Sequence, residues 1–154
     1  MVNFLFKQSI ALIELKRNVK YHLKDGIPCK AHSCIKCCIK TKMILSKEDI
    51  ERIKKVGYEE KSFLYRKGSI FMIKNKNGKC VFLKDFGCSI YKYRPLGCKL
   101  YPLIYDTKKG FIIDNLCPYR NEFKISKNDV KELSRLINKI FSIDDARPSF
   151  QAFL

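Results

Sequence analysis

Acidic residues are scarce in this chain: 15 Asp and Glu stand against 32 Lys and Arg, a formal charge of +17. Histidine is rarer still, with two in 154 residues, so histidine-based acid–base chemistry has few candidates. There is no phosphate-cradling glycine-rich loop, no dinucleotide fingerprint and no ordered Ser-His-Asp set, which removes the familiar nucleotide-binding and hydrolase signatures. No apolar run reaches the roughly 20 residues that a membrane-spanning helix needs. The opening "MVNFLFKQSIALIELKRNVK" is interrupted by Lys7 and Glu14 and has no small-residue cleavage site. Neither a secretory signal nor a span is therefore expected, and the chain reads as cytoplasmic. Internal repeats and low-complexity linkers are also missing.

What is present suits one domain over residues 1–154. Apolar residues make up 46%, with eleven Phe and eight Tyr, enough for a packed core and too many for a disordered chain. The positive charge invites nucleic acid, anionic lipid or an acidic protein. The lysines are spread along the whole chain, however, and a solvated basic surface is the simpler reading.

Three helices are expected. Leu5, Leu12, Leu15 and Val19 outline an amphipathic helix in the segment 1–24, with Lys16, Arg17 and Lys20 at its C-terminal end and Gly26 and Pro28 stopping it. "SKEDIERIKKVG" has Ser46 as N-cap, Asp49 three residues on, Ile50 and Ile53 on the apolar face and Gly57 at the end. "SKNDVKELSRLINKIF" repeats the cap with Ser126 and Asp129 and buries Val130, Leu133, Ile137, Ile140 and Phe141, giving a helix over 126–142. Between them, residues 69–74 and 79–84 read as strands joined by a hairpin at Asn77-Gly78, and "FIIDN" as a further short strand. The fold class is α+β: a small cysteine-rich core with a short hairpin, flanked by N-terminal, middle and C-terminal helices.

The cysteines stand at 29, 34, 37, 38, 80, 88, 98 and 117, all outside the three expected helices. Thiols serving only as small hydrophobes would join the helical stripes too, so this confinement argues for a site. Eight in 154 is about 5%, below the density that marks disulfide scaffolds. In a reducing compartment grouped cysteines favour metal ligation, with disulfides and core or catalytic thiols as the alternatives. Cys34-x2-Cys37 has the spacing of a metal-binding turn. The adjacent pair Cys37 and Cys38 more easily serves two sites than one, because neighbouring side chains of an extended backbone point to opposite sides. Zinc and iron–sulfur clusters both accept four thiolates, and eight suffice for two such sites. Within "CSIYKYRPLGCKLYP", Arg94 is placed to offset thiolate charge, and Tyr91, Tyr93 and Tyr101 to pack or form a polar network around the site.

The order "CIKCC", "GKCVFL", "GCSIYKYRPLGCKLYP", "LCP" resembles the YkgJ-like cysteine-cluster family, a zinc- or iron-chelating domain with a CxxCxxCC motif and eight characteristic cysteines. The resemblance covers residues 29–118. It implies metal ligation by Cys34, Cys37, Cys38, Cys80, Cys88, Cys98 and Cys117, with Tyr91, Arg94 and Pro95 on the family's Tyr and Arg-Pro positions. Cys29 takes the first place, but four residues separate it from Cys34 where the motif has two, so His32 competes for that role. A flagellin lysine methylase with a similar cysteine region is linked to an iron–sulfur cluster. That analogy prefers an iron–sulfur cluster over zinc and implies a protein-modifying, methyl-transfer or electron-transfer system with a protein substrate or redox partner. The alternative is a basic structural-zinc module binding nucleic acid, which the dispersed lysines and the lack of a reading helix disfavour.

Overall fold

The computed structural model describes residues 20–85, 87–106 and 108–141. Up to residue 19 the expected N-terminal helix thus lies outside the described residues, and from 20 to 24 the chain is not α-helical but forms a two-residue strand and the start of a 3-10 turn. The chain enters at β1 (Tyr21–His22), followed by a 3-10 turn over Leu23–Asp25. Gly26 then turns with φ +59°, a left-handed angle that favours a residue without a Cβ. Pro28 opens α1 (Ile27–Ala31), in the first turn where its missing amide hydrogen costs nothing. A second 3-10 turn, Lys36–Cys38, carries the double cysteine to β2 (Ile44–Leu45).

The capping chemistry expected for α2 (Lys47–Lys55) is present: Asp49 N donates to Ser46 Oγ and Ser46 N donates to Asp49 Oδ2, both at 3.1 Å. After α3 (Glu60–Phe63) come β3 (Leu64–Lys67) and β4 (Ile70–Ile73). β4 is the centre of a three-stranded antiparallel sheet, paired with β2 on one side and β3 on the other.

The expected hairpin is therefore smaller than its pattern suggests. Across Asn77 and Gly78, at φ 52° and 73°, only β5 (Asn75–Lys76) and β6 (Lys79–Cys80) pair. The irregular-looking "YEEKSFLYRKG" supplies the main partner, β3. Its Tyr65, Arg66 and Lys67 are exposed, so the segment carries little alternation for a sequence reading to detect.

The chain continues through β7 (Leu83–Lys84) and β8 (Gly87–Cys88), a two-stranded pair, and a 3-10 turn over Tyr91–Tyr93. Pro95 caps α4 (Leu96–Leu100), and Pro102 follows its end. β9 (Leu103–Asp106) and β10 (Gly110–Ile113) form a hairpin whose turn is held by Asp106 Oδ1, which accepts from the amides of Lys108 and Lys109. β11 (Phe123–Lys124) pairs in parallel with β1 and leads into α5 (Lys127–Phe141). Ser126 and Asp129 cap α5 reciprocally, at 2.8 and 3.1 Å. Among the described residues no helix is long and apolar enough to cross a membrane.

Two apolar cores result. One gathers Leu45, Ile50, Ile53, Phe63, Ile73, Phe82 and Ile90 under α2 and the β4 sheet. The other gathers Leu23, Leu100, Leu103, Phe123, Leu133 and Leu136 under α5. Each fully buried Phe or Leu contributes about 1.5–3 kcal/mol, and Phe82 is further fixed by the edge of Tyr58 and the tilted ring of Phe63.

Asp49 links the first core to the segment leading into the second. Besides capping α2, its buried carboxylate accepts from Leu96 N at 3.0 Å and pairs with the Arg52 guanidinium. Arg52 also donates to the carbonyls of Tyr93 and Arg94, each at 3.4 Å. Asp49→Ala removes the carboxylate half of the capping box and leaves the Leu96 amide and the Arg52 guanidinium without their acceptor. It is expected to lower unfolding stability by about 2–4 kcal/mol in urea titration. A change below about 0.5 kcal/mol, the size of an ordinary surface substitution, contradicts this account.

Candidate metal centre

The eight cysteines come from six stretches of chain, and six of them lie in or against the two cores. Cys29 sits in α1, and the loop after it folds back so that Cys34 N donates to Cys29 O at 2.9 Å. Cys37 and Cys38 ride on the 3-10 turn, where Cys38 N bonds Ile35 O at 2.9 Å. The next residues fasten that turn to the small hairpin: Ile39 bridges Lys79, and Lys40 N donates to Gly78 O at 2.7 Å. Cys80 lies in β6, Cys88 in β8 opposite Leu83, and Cys98 in α4. Cys117 follows β10 in a turn closed by its own amide on Asp114 O at 3.2 Å. All eight are free thiols; Cys80 and Cys117 are buried and Cys37 is exposed.

The thiols fall into two neighbourhoods. Cys80 belongs to the α2 core, with Cys38, Cys88 and Cys98 packed against it. Cys117 belongs to the α5 core, with Cys29 against it. Burial raises most of them and neighbouring sulfurs raise them further. Cys29 is pushed up to about 11, by burial first and then by Cys37, Cys34 and Cys117. Cys98 is raised well above a free thiol, by burial and then Cys37, Cys80 and Cys88. Burial likewise raises Cys80, Cys88 and Cys117. Cys37 goes the other way, down to about 7, chiefly because the Cys38 thiol hydrogen-bonds to it, with Arg94 helping. The same hydrogen bond, first among its causes, holds Cys38 far up.

Arg94 is buried beside this set. Its Nη1 donates to Tyr91 O and its Nη2 to Lys24 O, both at 2.8 Å, while the guanidinium lies 3.9 Å over the Tyr91 ring. Its positive charge acts on Cys29, Cys37 and Cys88. Tyr91 OH reaches Gly26 O at 3.4 Å, and a Cβ on Gly26 would stand 1.6 Å from that hydroxyl, so the glycine is needed for the approach. The three tyrosines of the motif therefore part company. Only Tyr91 joins Arg94; Tyr93 is exposed, and Tyr101 OH donates to Asp114 Oδ2 at 2.9 Å.

His32 is engaged elsewhere. Its ring stacks on Tyr119 at 3.8 Å, and its Nε2 is hydrogen-bonded to Glu122 Oε1 at 2.9 Å. Cys29, by contrast, packs against the α5 core that contains Cys117. Two positioning residues carry no sequence signal of their own. Asp114 shapes the Cys117 turn by accepting from Leu116 N and Tyr101 OH, and Lys24 offers only its backbone carbonyl to Arg94.

The donors fit a thiolate-bound metal in kind: eight free sulfurs, a nearby guanidinium and apolar walls. Among the described residues no three Cys, His, Asp or Glu side chains are closed around a single ion. Two outcomes follow for the metal-free chain. Cys37 is expected to be alkylated first, at a rate that rises as pH passes through about 7 and the nucleophilic thiolate forms; peptide mass spectrometry after brief iodoacetamide treatment reads this. Arg94→Met strips two carbonyls of their donor, and is expected to cost about 1–3 kcal/mol in urea unfolding and to slow Cys37 alkylation at neutral pH.

Comparison with known proteins agrees with this chemistry. Residues 28–134 match the CxxCxxCC family, described as "Putative zinc- or iron-chelating domain". The uncharacterized protein MJ0661 of Methanocaldococcus jannaschii is 32% identical over 113 residues, which cover 67% of this chain. The chain spans 62% of that relative's length. No solved structure matches. With the family model covering residues 28–134, most of its length, this chain belongs to the CxxCxxCC family.

Proposed function

We propose that the cysteines hold iron–sulfur rather than zinc and that the protein serves as an electron carrier in a redox or protein-modifying system. The observation that carries this reading is the set of eight free thiols, six of them in or against the two cores and one, Cys37, exposed. When bound, a cluster supplies reversible one-electron storage.

The chain's own residues support that use in three ways. An all-thiol donor set is the one that iron–sulfur clusters take, and the histidine that competes for a place is held by Glu122 and Tyr119. Four thiolates carry negative charge into a poorly solvated site, and the Arg94 guanidinium offsets part of it. A cluster, with its own irons and sulfides between the cysteines, suits donors spread more widely than one ion's shell. The exposed Cys37 edge gives a route to a redox partner, and the basic surface suits an acidic one.

Anaerobic purification, followed by iron, zinc and acid-labile sulfide analysis with UV-visible and EPR spectra, tests this. Iron with sulfide and a reversible redox couple is the expected result. Stoichiometric zinc without iron or sulfide overturns the iron–sulfur assignment, and metal-free protein with its thiols paired overturns chelation itself.

A further inference from the structure

We infer that an acidic protein docks on a face made by Lys36, Lys40, Lys76 and Lys79 around the exposed Ile39, beside the residues that carry Cys37, Cys38 and Cys80. This rests on the carrier reading for the partner's being a redox protein, and it adds the place where that partner meets the chain.

The lysines are spread along the sequence, but the acids are not. Residues 26–47 and 61–84 hold twelve Lys or Arg and no Asp or Glu, although the whole chain has 15 acids. The fold sets parts of these two acid-free stretches side by side. Lys40 N donates to Gly78 O and Asn75 Nδ2 to Thr41 O, both at 2.7 Å, and Ile39 bridges Lys79. Lysines elsewhere find carboxylates: Lys24 pairs with Glu132, Lys54 with Glu51 and Glu60, and Lys139 with Glu48. Lys36, Lys40, Lys76 and Lys79 are all exposed, and among the described residues none of them is in an ion pair.

Their placement is repulsive in isolation. Lys76 and Lys79 stand directly opposite each other in the β5–β6 pair, an arrangement that like charges destabilise. The Lys40 stem lies over the hairpin tip, its Cγ 3.9 Å from where a Cβ on Gly78 would stand. Carboxylates of a partner supply the compensation that this chain withholds.

Directly opposed residues share a face, so Lys76, Lys79 and Ile39 stand in one row. Ile39 is 38% exposed, an apolar contact edged by cations, as in an interface with an apolar centre and a polar rim. No aromatic ring stands in that row to stack a base, which favours a protein over a nucleic acid. Thiols lie next to it. Cys80, adjoining Lys79, is buried, and Cys38, adjoining Ile39, packs against the same core. Cys37 adjoins Lys36 and is itself exposed. A partner seated on this face reaches the neighbourhood of the sulfurs without opening either core.

The test uses the full chain as purified and two labelled probes, a decaglutamate peptide and an oligothymidylate of equal charge. Zero-length carbodiimide cross-linking and peptide mapping are expected to join the peptide to Lys36, Lys40, Lys76 and Lys79 ahead of the other lysines. In fluorescence anisotropy at low salt, Lys36→Glu combined with Lys76→Glu is expected to weaken peptide binding about tenfold. Lys127→Glu combined with Lys131→Glu, which removes the same charge from the exposed side of α5, is expected to weaken it less than about twofold. Lys76→Glu gives Lys79 an opposite charge to face, so the hairpin itself is not weakened by the change.

Cross-links scattered over the chain, no binding of the peptide, or equal losses in the two variants overturn the docking face. Tighter binding of the oligothymidylate, lost on the same face variant, overturns an acidic protein as the partner. If a variant misfolds, the cross-link map of the unaltered chain decides alone. None of these readouts is the metal content, so the iron–sulfur assignment stands or falls separately on the metal analysis.

Discussion

A buried guanidinium organises the centre of this protein. Arg94 satisfies its donors on the carbonyls of Lys24 and Tyr91 and its face on the Tyr91 ring. Those partners are neutral, so its positive charge is left to act on the sulfurs around it. Burying an uncompensated charge is costly, and Arg94 is tolerable there because two carbonyls accept its hydrogen bonds and the Tyr91 ring lies against its face. Through Lys24 it also ties the chain entering the α5 core to the motif that delivers Cys88 and Cys98. Pro95 continues the joint: its neighbour Leu96 donates to Asp49, which belongs to the cap of α2.

The thiols gain their character from this setting. Most are raised by burial and by one another, so a metal-free chain keeps them largely protonated near neutrality. Metal binding must then displace protons, a cost repaid by metal–sulfur bonds and by the guanidinium. Cys37 is the exception, lowered by its hydrogen bond from Cys38, and it is also the exposed member. The thiolate most ready to meet an incoming metal is thus the one that solvent can reach.

Some elements were legible because their causes are local. Ser46 with Asp49 and Ser126 with Asp129 form the expected reciprocal caps. Asn77-Gly78 turns with positive φ, and Pro95 and Pro102 confine α4 to five residues. Other elements depend on partners distant in the chain. β3 is a strand because β4 lies beside it; its exposed Arg66 and Lys67 would suit a loop equally well. Leu136, outside the expected stripe of α5, is buried because the helix also meets α4 and β9.

The same division runs through the candidate site. The sequence by itself determined the candidate donors and the family, since eight cysteines in a CxxCxxCC-type order and an Arg-Pro motif are one-dimensional facts. The expectation that Cys37 and Cys38 face apart supposed an extended backbone; the chain there is a 3-10 turn, and the Cys38 thiol hydrogen-bonds to Cys37. Which core each thiol joins was decided only by tertiary structure, because cysteines up to 88 positions apart, such as Cys29 and Cys117, meet only after folding. The engagement of His32 with Glu122, and the choice of Tyr91 rather than Tyr93 or Tyr101 to carry Arg94, were settled there too. Side-chain chemistry is written locally, whereas burial and electrostatic neighbourhood are properties of the packed whole.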